Sequence, residues 1–195
     1  VCQEMGLPQR GVRCYYYFRL KSDSDLNAYA DGENIIVHTG MMHFLQNEDE
    51  VAMVLGHELA HNLMGHVDAT KKNVVVGALL GAVVDAVAAS QGVSTGGGGM
   101  DTGAQMAHLS YSVGFEEEAD YVGLYIAARA GYDIRNAPAI WRRMTIENPK
   151  NLYNAHTHPS NARRFAALQR GIYEIEYKRK HRIPLVPDFK EEVTN

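Results

Sequence analysis

The 195-residue chain has only two cysteines, Cys2 and Cys14, and neither belongs to a C-x-x-C pair, which argues against a cysteine-based metal site. Two thiols so close together can close a short disulfide in an oxidising compartment or stand as unrelated side chains, and both readings stay open. There is no excess of positive charge: 19 Lys and Arg against 23 Asp and Glu leave a formal net charge of −4 and a pI near 6.1. An arginine-rich stripe with interleaved aromatics is also lacking, so nucleic acid is not an expected partner. No long uninterrupted apolar run occurs. The most hydrophobic stretch, Val74 to Ala89, is broken by Gly77, Gly81 and Asp85 and falls short of the roughly 20 apolar residues that a membrane span needs. A buried or site-covering helix is the expected reading there, with shallow membrane or partner contact as the lesser one. The first residue is Val1, so the chain is expected to be a trimmed or processed piece, with any signal peptide or lipid or membrane anchor beyond it.

With 46% hydrophobic and 22% charged residues, the chain can bury one sizeable core, and residues 1–195 are expected to form a single domain. Arg13 to Leu20 and Glu33 to His38 are aromatic or β-branched runs that read as strands, with an Asp31-Gly32 turn before the second. Asn27 to Ala30 between them looks extended, which suggests a small sheet or hairpin near the N-terminus. Everything after Thr39 is patterned as helix, giving an α+β, mainly helical fold class. Gly40 to Gln46 is a short helix. Asn47 then offers an N-cap with Glu50 three positions on, opening a long helix over about Glu48 to His66.

The apolar helix at 74–89 leads into a glycine-rich excursion reaching about residue 105, expected to be mobile because four consecutive glycines, Gly96 to Gly99, cannot hold one conformation cheaply. A second long helix runs from about Asp101 to Ala130 and stops at Gly131. Two more follow, about Ile134 to Ile146 with Trp141 as core anchor, and about Ser160 to Arg182 with Ser160 as cap. The last residues, 183–195, read as an extended tail.

The chemistry concentrates in His57-Glu58-Leu59-Ala60-His61. Four positions apart on a helix is one face, so both imidazoles can grip one metal ion while Glu58 lies beside it as general base. A catalytic zinc takes three protein ligands and keeps a fourth position for water, so a third ligand is required. His66 is a poor candidate: if the helix continues, it lies about 180° around the wheel from His57, and it reads as a helix-end or surface histidine. Glu116 and Asp120 suit the role better. They share a face of the second long helix, so Glu116 can ligate while Asp120 accepts a hydrogen bond from a ligating imidazole. Glu117 is expected to be solvated, and Glu118 is ambiguous.

Taken together, these residues resemble the HtpX-like and BepA-like zinc metallopeptidases, relatives of the CaaX prenyl proteases. The matching pieces are Asn27-Ala28 with Ala30 and Gly32, Thr39-Gly40, Asn47 to Glu50 leading into His57 to His61, Glu116 with Ala119-Asp120 and Gly123, and Thr157-His158-Pro159-Ser160 with Arg164-Phe165. The resemblance implies a zincin-like metallopeptidase domain with two long active-site helices and one Zn2+ per chain on His57, His61 and Glu116. It further implies Glu58 as base, Asp120 as orienter of His57 or His61, and Asn27, Ala28, Tyr29 and Ala30 as a substrate-side edge strand. His158 would be a switch-like extra ligand or an oxyanion donor, and Arg164 would brace the site wall through a salt bridge. Members of the group are described as having membrane spans, and none is evident in this sequence, which favours a soluble, envelope-located enzyme.

The expected function is therefore zinc-dependent endopeptidase cleavage of unfolded or misassembled polypeptides in bacterial cell-envelope quality control, in the periplasm or anchored nearby. An association with membranes or outer-membrane assembly is left open. The alternative is a gated, weakly proteolytic chaperone or assembly factor in which His158 fills the fourth metal position.

Overall fold

The computed structural model describes residues 3–5, 14–101, 113–147, 158 and 162–189. A 3-10 turn, Gln3–Met5, precedes strands β1 (Tyr17–Lys21), β2 (Ala28–Ala30) and β3 (Asn34–His38). Helices α1 (Thr39–Phe44), α2 (Glu48–Leu63), α3 (His66–Ser90), α4 (Val113–Arg129), α5 (Ala137–Glu147) and α6 (Ala162–Lys180) follow. The fold is mainly helical with one small sheet, as the sequence pattern implied.

β3 is the central strand, flanked by β1 in parallel and β2 antiparallel. Its Ile35, Ile36 and Val37 are all buried, because a central strand covered on both faces reads as a continuous apolar run. The β2–β3 connection turns at Gly32, whose φ of 104° only glycine adopts cheaply. Asp31 Oδ1 fastens this turn by accepting from Glu33 N and Asn34 N. Asn62 of α2 then pins it to the helix: its Oδ1 accepts from Gly32 N at 2.9 Å and its Nδ2 donates to Asn34 O. The turn that joins β2 to β3 is thereby anchored to Asn62, the chain neighbour of His61.

Asn47 caps α2, accepting from Glu50 N at 3.0 Å. The expected capping box is only half made. Glu50 instead accepts from Gln46 N and from both Nη atoms of Arg143, tying the start of α2 to α5. α2 and α4 cross where a Cβ on Gly56 would sit 2.8 Å from Gly123 O, and one on Gly123 would sit 2.9 Å from His57 N. Two facing glycines therefore let the backbones approach at the level of His57.

Two expectations need correction. The long helix does not run to His66: α2 ends at Leu63, Gly65 turns left-handed (φ 72°), and α3 begins at His66. Val74 to Ala89 is not a buried helix either. Val75, Val76, Leu79, Leu80, Val83, Val84 and Val87 are exposed, and only 6% of the most apolar window is buried. Because α3 starts earlier than the apolar run, its 25 residues are long and apolar enough to cross a membrane. The described part of the glycine-rich excursion contacts α3. Asp85 accepts from Thr95 Oγ1, Gly99 N and Met100 N, and a Cβ on Gly81 would collide with Gly99 O.

α4 stops at Gly131 (φ 94°) as expected, while its expected earlier portion at 102–112 lies outside the described residues. So do Cys2, the cap Ser160 and residues 190–195. Cys14 is disulfide-bonded. Residues 183–189 have no regular secondary structure and are held by Arg129 donating to Leu185 O and Lys178 donating to Val186 O.

Candidate metal centre

α2 carries His57, Glu58 and His61 on a buried face, α4 brings Glu116 and Asp120 across the glycine crossing, and His158 arrives from the segment preceding α6. His57 Nε2 lies 3.1 Å from His61 Nε2, 3.4 Å from Glu116 Oε2 and 3.2 Å from His158 Nδ1. His61 Nε2 is 3.3 Å from Glu116 Oε1, and His158 Nδ1 is 3.0 Å from the same oxygen.

Donors about 2.0–2.1 Å from a tetrahedral zinc stand roughly 3.3 Å from one another. The pairs just given meet that spacing and all four donor atoms lie within 4.8 Å of one another, so His57, His61, Glu116 and His158 together fit a metal ion. Among the described residues, one other group of potential ligands converges, Asp23, Asp25 and His38. There Lys21 Nζ already sits 3.0 Å from Asp23 Oδ2.

The charges also call for a cation. Burial opposes protonation of His57, yet Asp120 and Glu116 outweigh it and push the imidazole up to about 10. Burial and the neighbouring histidines take His61 down to about 3. Burial alone would raise Glu116, but the charge and hydrogen bonds of His158, with help from His57 and His61, hold it well below the carboxylate range. A centre that attracts positive charge but cannot protonate every histidine suits a metal ion.

Around the four donors lies a second layer. Asp120 Oδ1 lies 3.0 Å from His57 Nδ1, as a close ion pair rather than a well-aligned hydrogen bond. Arg164 grips Asp120 through Nε and Nη2 at 2.8 Å each and reaches Glu116 Oε2 through Nη1 at 2.9 Å. Trp141 Nε1 donates to Asp120 Oδ1 at 3.0 Å, so the residue expected only as a core anchor also orients the carboxylate. Glu58 Oε1 is 3.3 Å from His158 Nε2, and its buried Oε2 has no hydrogen-bond partner among the described residues. Asn27 and β2 stand at the sheet edge: Ala28 is buried, while Asn27, Tyr29 and Ala30 are half-buried.

His66, expected at a helix end or on the surface, heads α3. It is 1% exposed, its Nδ1 is 3.1 Å from His61 Nδ1, and its Nε2 is 3.0 Å from Glu118 Oε2. The helix does not continue to His66, because the left-handed Gly65 restarts it and brings His66 beside His61. It sits at a helix end, as expected, but not on the surface. Glu117 pairs with Arg163 at the site's periphery.

Residues 1–172 match the family model described as Peptidase family M48. The chain belongs to this metallopeptidase family. Its mainly helical architecture with a small sheet is accordingly a zincin-like fold. Curated relatives include the beta-barrel assembly-enhancing protease of Yersinia pestis, 28% identical over 163 residues, covering 77% of this chain and 33% of that protein. The mitochondrial metalloendopeptidase OMA1 of Schizosaccharomyces pombe is 29% identical over 187 residues, covering 87% and 52%. The Arabidopsis thaliana protein of the same name is 34% identical over 136 residues, covering 69% and 27%. The M48 chain thus spans between about a quarter and a half of the length of these relatives.

Proposed function

We propose that this M48 protein is a zinc endopeptidase that cleaves extended segments of unfolded or misassembled polypeptides, with one zinc on His57, His61 and Glu116, and that His158 holds it in check as a fourth ligand. The observation that carries this reading is the four-donor cluster itself, in which His158 Nδ1 stands as close to His57 and Glu116 as those ligands stand to one another.

A zinc bound there would lower the pKa of water from about 16 towards 7 and polarise the scissile carbonyl. The remaining work falls to the protein. Glu58, with one buried oxygen that has no hydrogen-bond partner among the described residues, would take the proton of the attacking water and return it to the leaving amine. Asp120, locked by Arg164 and Trp141, keeps the His57 ring turned so that Nε2 faces the centre. If His158 swings away, it would vacate the position that water needs. β2 would pair with the substrate backbone at its free edge, held in register with His61 by Asn62.

The test is a pair of variants. Glu58→Gln should retain zinc and lose proteolysis of casein, and His158→Ala should retain zinc and cleave faster. A Glu58→Gln protein with full activity sinks the mechanism. The gated chaperone reading rests on the same fourth-ligand geometry, and it prevails if His158→Ala binds unfolded clients but stays proteolytically silent.

The cell envelope is the proposed location. Relatives named for β-barrel assembly and relatives named for the mitochondrion are about equally similar to the chain, so similarity does not choose between the two compartments. The disulfide-bonded Cys14 suits an oxidising compartment, and the apolar surface of α3 suits contact with a bilayer or with outer-membrane assembly components.

A further inference from the structure

We infer that His66 and Glu118 form a positioning relay that fixes the tautomer of His61, so that His61 presents a lone pair to the metal. This rests on the reading of His57, His61 and Glu116 as metal ligands.

With His61 as a metal ligand and neutral imidazoles, one arrangement of protons satisfies the contacts among His61, His66 and Glu118. His61 Nε2 faces the cluster, 3.1 Å from His57 Nε2 and 3.3 Å from Glu116 Oε1, so a ligating His61 must carry its proton on Nδ1. That Nδ1 is 3.1 Å from His66 Nδ1, which must then accept. His66 therefore carries its own proton on Nε2, where Glu118 Oε2 accepts it at 3.0 Å. The order is Glu118 to His66 to His61 to metal. On the other ligand the corresponding link is a carboxylate, Asp120, acting on His57 directly. The two zinc-binding histidines of one helix are thus oriented by different means.

The local structure is built for this contact. Gly65 in the left-handed region ends α2 and sets His66 as the first residue of α3. Phe115 of α4 stacks flat on the His66 ring, with centroids 4.4 Å apart and planes 11° from parallel. Phe115 adjoins the ligand Glu116, so a single turn of α4 supplies a metal ligand, the clamp on His66 and the carboxylate that ends the relay. Metal-ligating histidines generally donate their second ring N–H to a partner, and loss of that partner costs about 10- to 100-fold in metal affinity.

The experiment measures zinc affinity of the purified chain by competition with a chromophoric chelator, alongside nitrogen-15 NMR of the zinc-loaded histidines. His66→Phe keeps a ring under Phe115 but removes the acceptor, and should weaken zinc about 10- to 100-fold. His66→Asn places an amide oxygen close to the lost Nδ1 and should restore affinity to within about 3-fold of the parent. NMR of the parent should show His61 protonated on Nδ1 and His66 on Nε2, a signature that needs no variant to fold. Equal affinities for His66→Phe and the parent, equal losses for His66→Phe and His66→Asn, or a His66 protonated on Nδ1 would each overturn the relay alone. A parent that binds no zinc overturns the metal reading of the site and the relay with it.

Discussion

His158 Nδ1 stands 3.2 Å from His57 Nε2 although 101 residues separate them in the chain. With His158 at that distance, four protein donors would fill the tetrahedral positions of a zinc bound there. If His158 fills the fourth position in about nine-tenths of molecules, its removal should raise casein turnover roughly 10-fold. The assay compares His158→Ala with the parent at equal zinc content, and an unchanged or lower rate contradicts the check.

Glu58→Gln should keep one zinc per chain and lose about 10²- to 10⁴-fold in proteolytic rate, the usual contribution of a positioned general base. Metal analysis together with casein hydrolysis reads both quantities. Loss of zinc in this variant would make Glu58 a structural residue instead.

Arg164 is buried with both Asp120 and Glu116 in its grasp. Arg164→Met should therefore cost about 3–5 kcal/mol at neutral pH by leaving buried carboxylates without their cation, measured by urea unfolding of the metal-free protein. Burial would raise Asp120, but the Arg164 guanidinium outweighs it and holds the carboxyl below its usual range. The parent's gain from this pair is thus complete above the unfolded value near pH 3.9 and disappears as pH falls through the lower folded value. The stability gap between parent and variant should accordingly narrow between pH 5 and about pH 3. A gap that stays constant over that interval excludes Asp120 ionisation as its source.

The exposed face of α3 gives a separate expectation. Leu79 and Val83 are 63% and 60% exposed, so Leu79→Asp with Val83→Asp should leave folding intact. Each charge opposes insertion by about 2.5–3.5 kcal/mol at the centre of a membrane helix. Co-flotation of the parent with lipid vesicles, and its loss in the double variant, is the expected result. A parent that stays in the aqueous fraction removes the bilayer from the list of partners.

Much of the centre was legible in the chain because its chemistry is local. A four-residue spacing puts His57 and His61 on one face, and the same spacing does so for Glu116 and Asp120. The N-cap at Asn47 and the stop at Gly131 are likewise decisions made within a single helical turn. What escaped depended on long-range geometry or on a single dihedral. The left-handed Gly65 overturned the wheel position of His66, and the glycine crossing at Gly56 and Gly123 that seats α4 against His57 shows only once both helices are in place. Nothing near Trp141 signals that its indole would reach Asp120, 21 residues earlier. The exposure of α3 escaped for the opposite reason, since an apolar run looks the same in sequence whether protein or another phase covers it.

The central claim is that three imidazoles and one carboxylate share a zinc. Extended X-ray absorption at the zinc edge of the purified, resting chain tests it most directly. The expected spectrum shows four protein donors, three with the multiple-scattering pattern of imidazole and one light oxygen ligand, falling to two imidazoles in His158→Ala. A resting spectrum with only two imidazoles would contradict the account, as would a purified chain that holds no zinc.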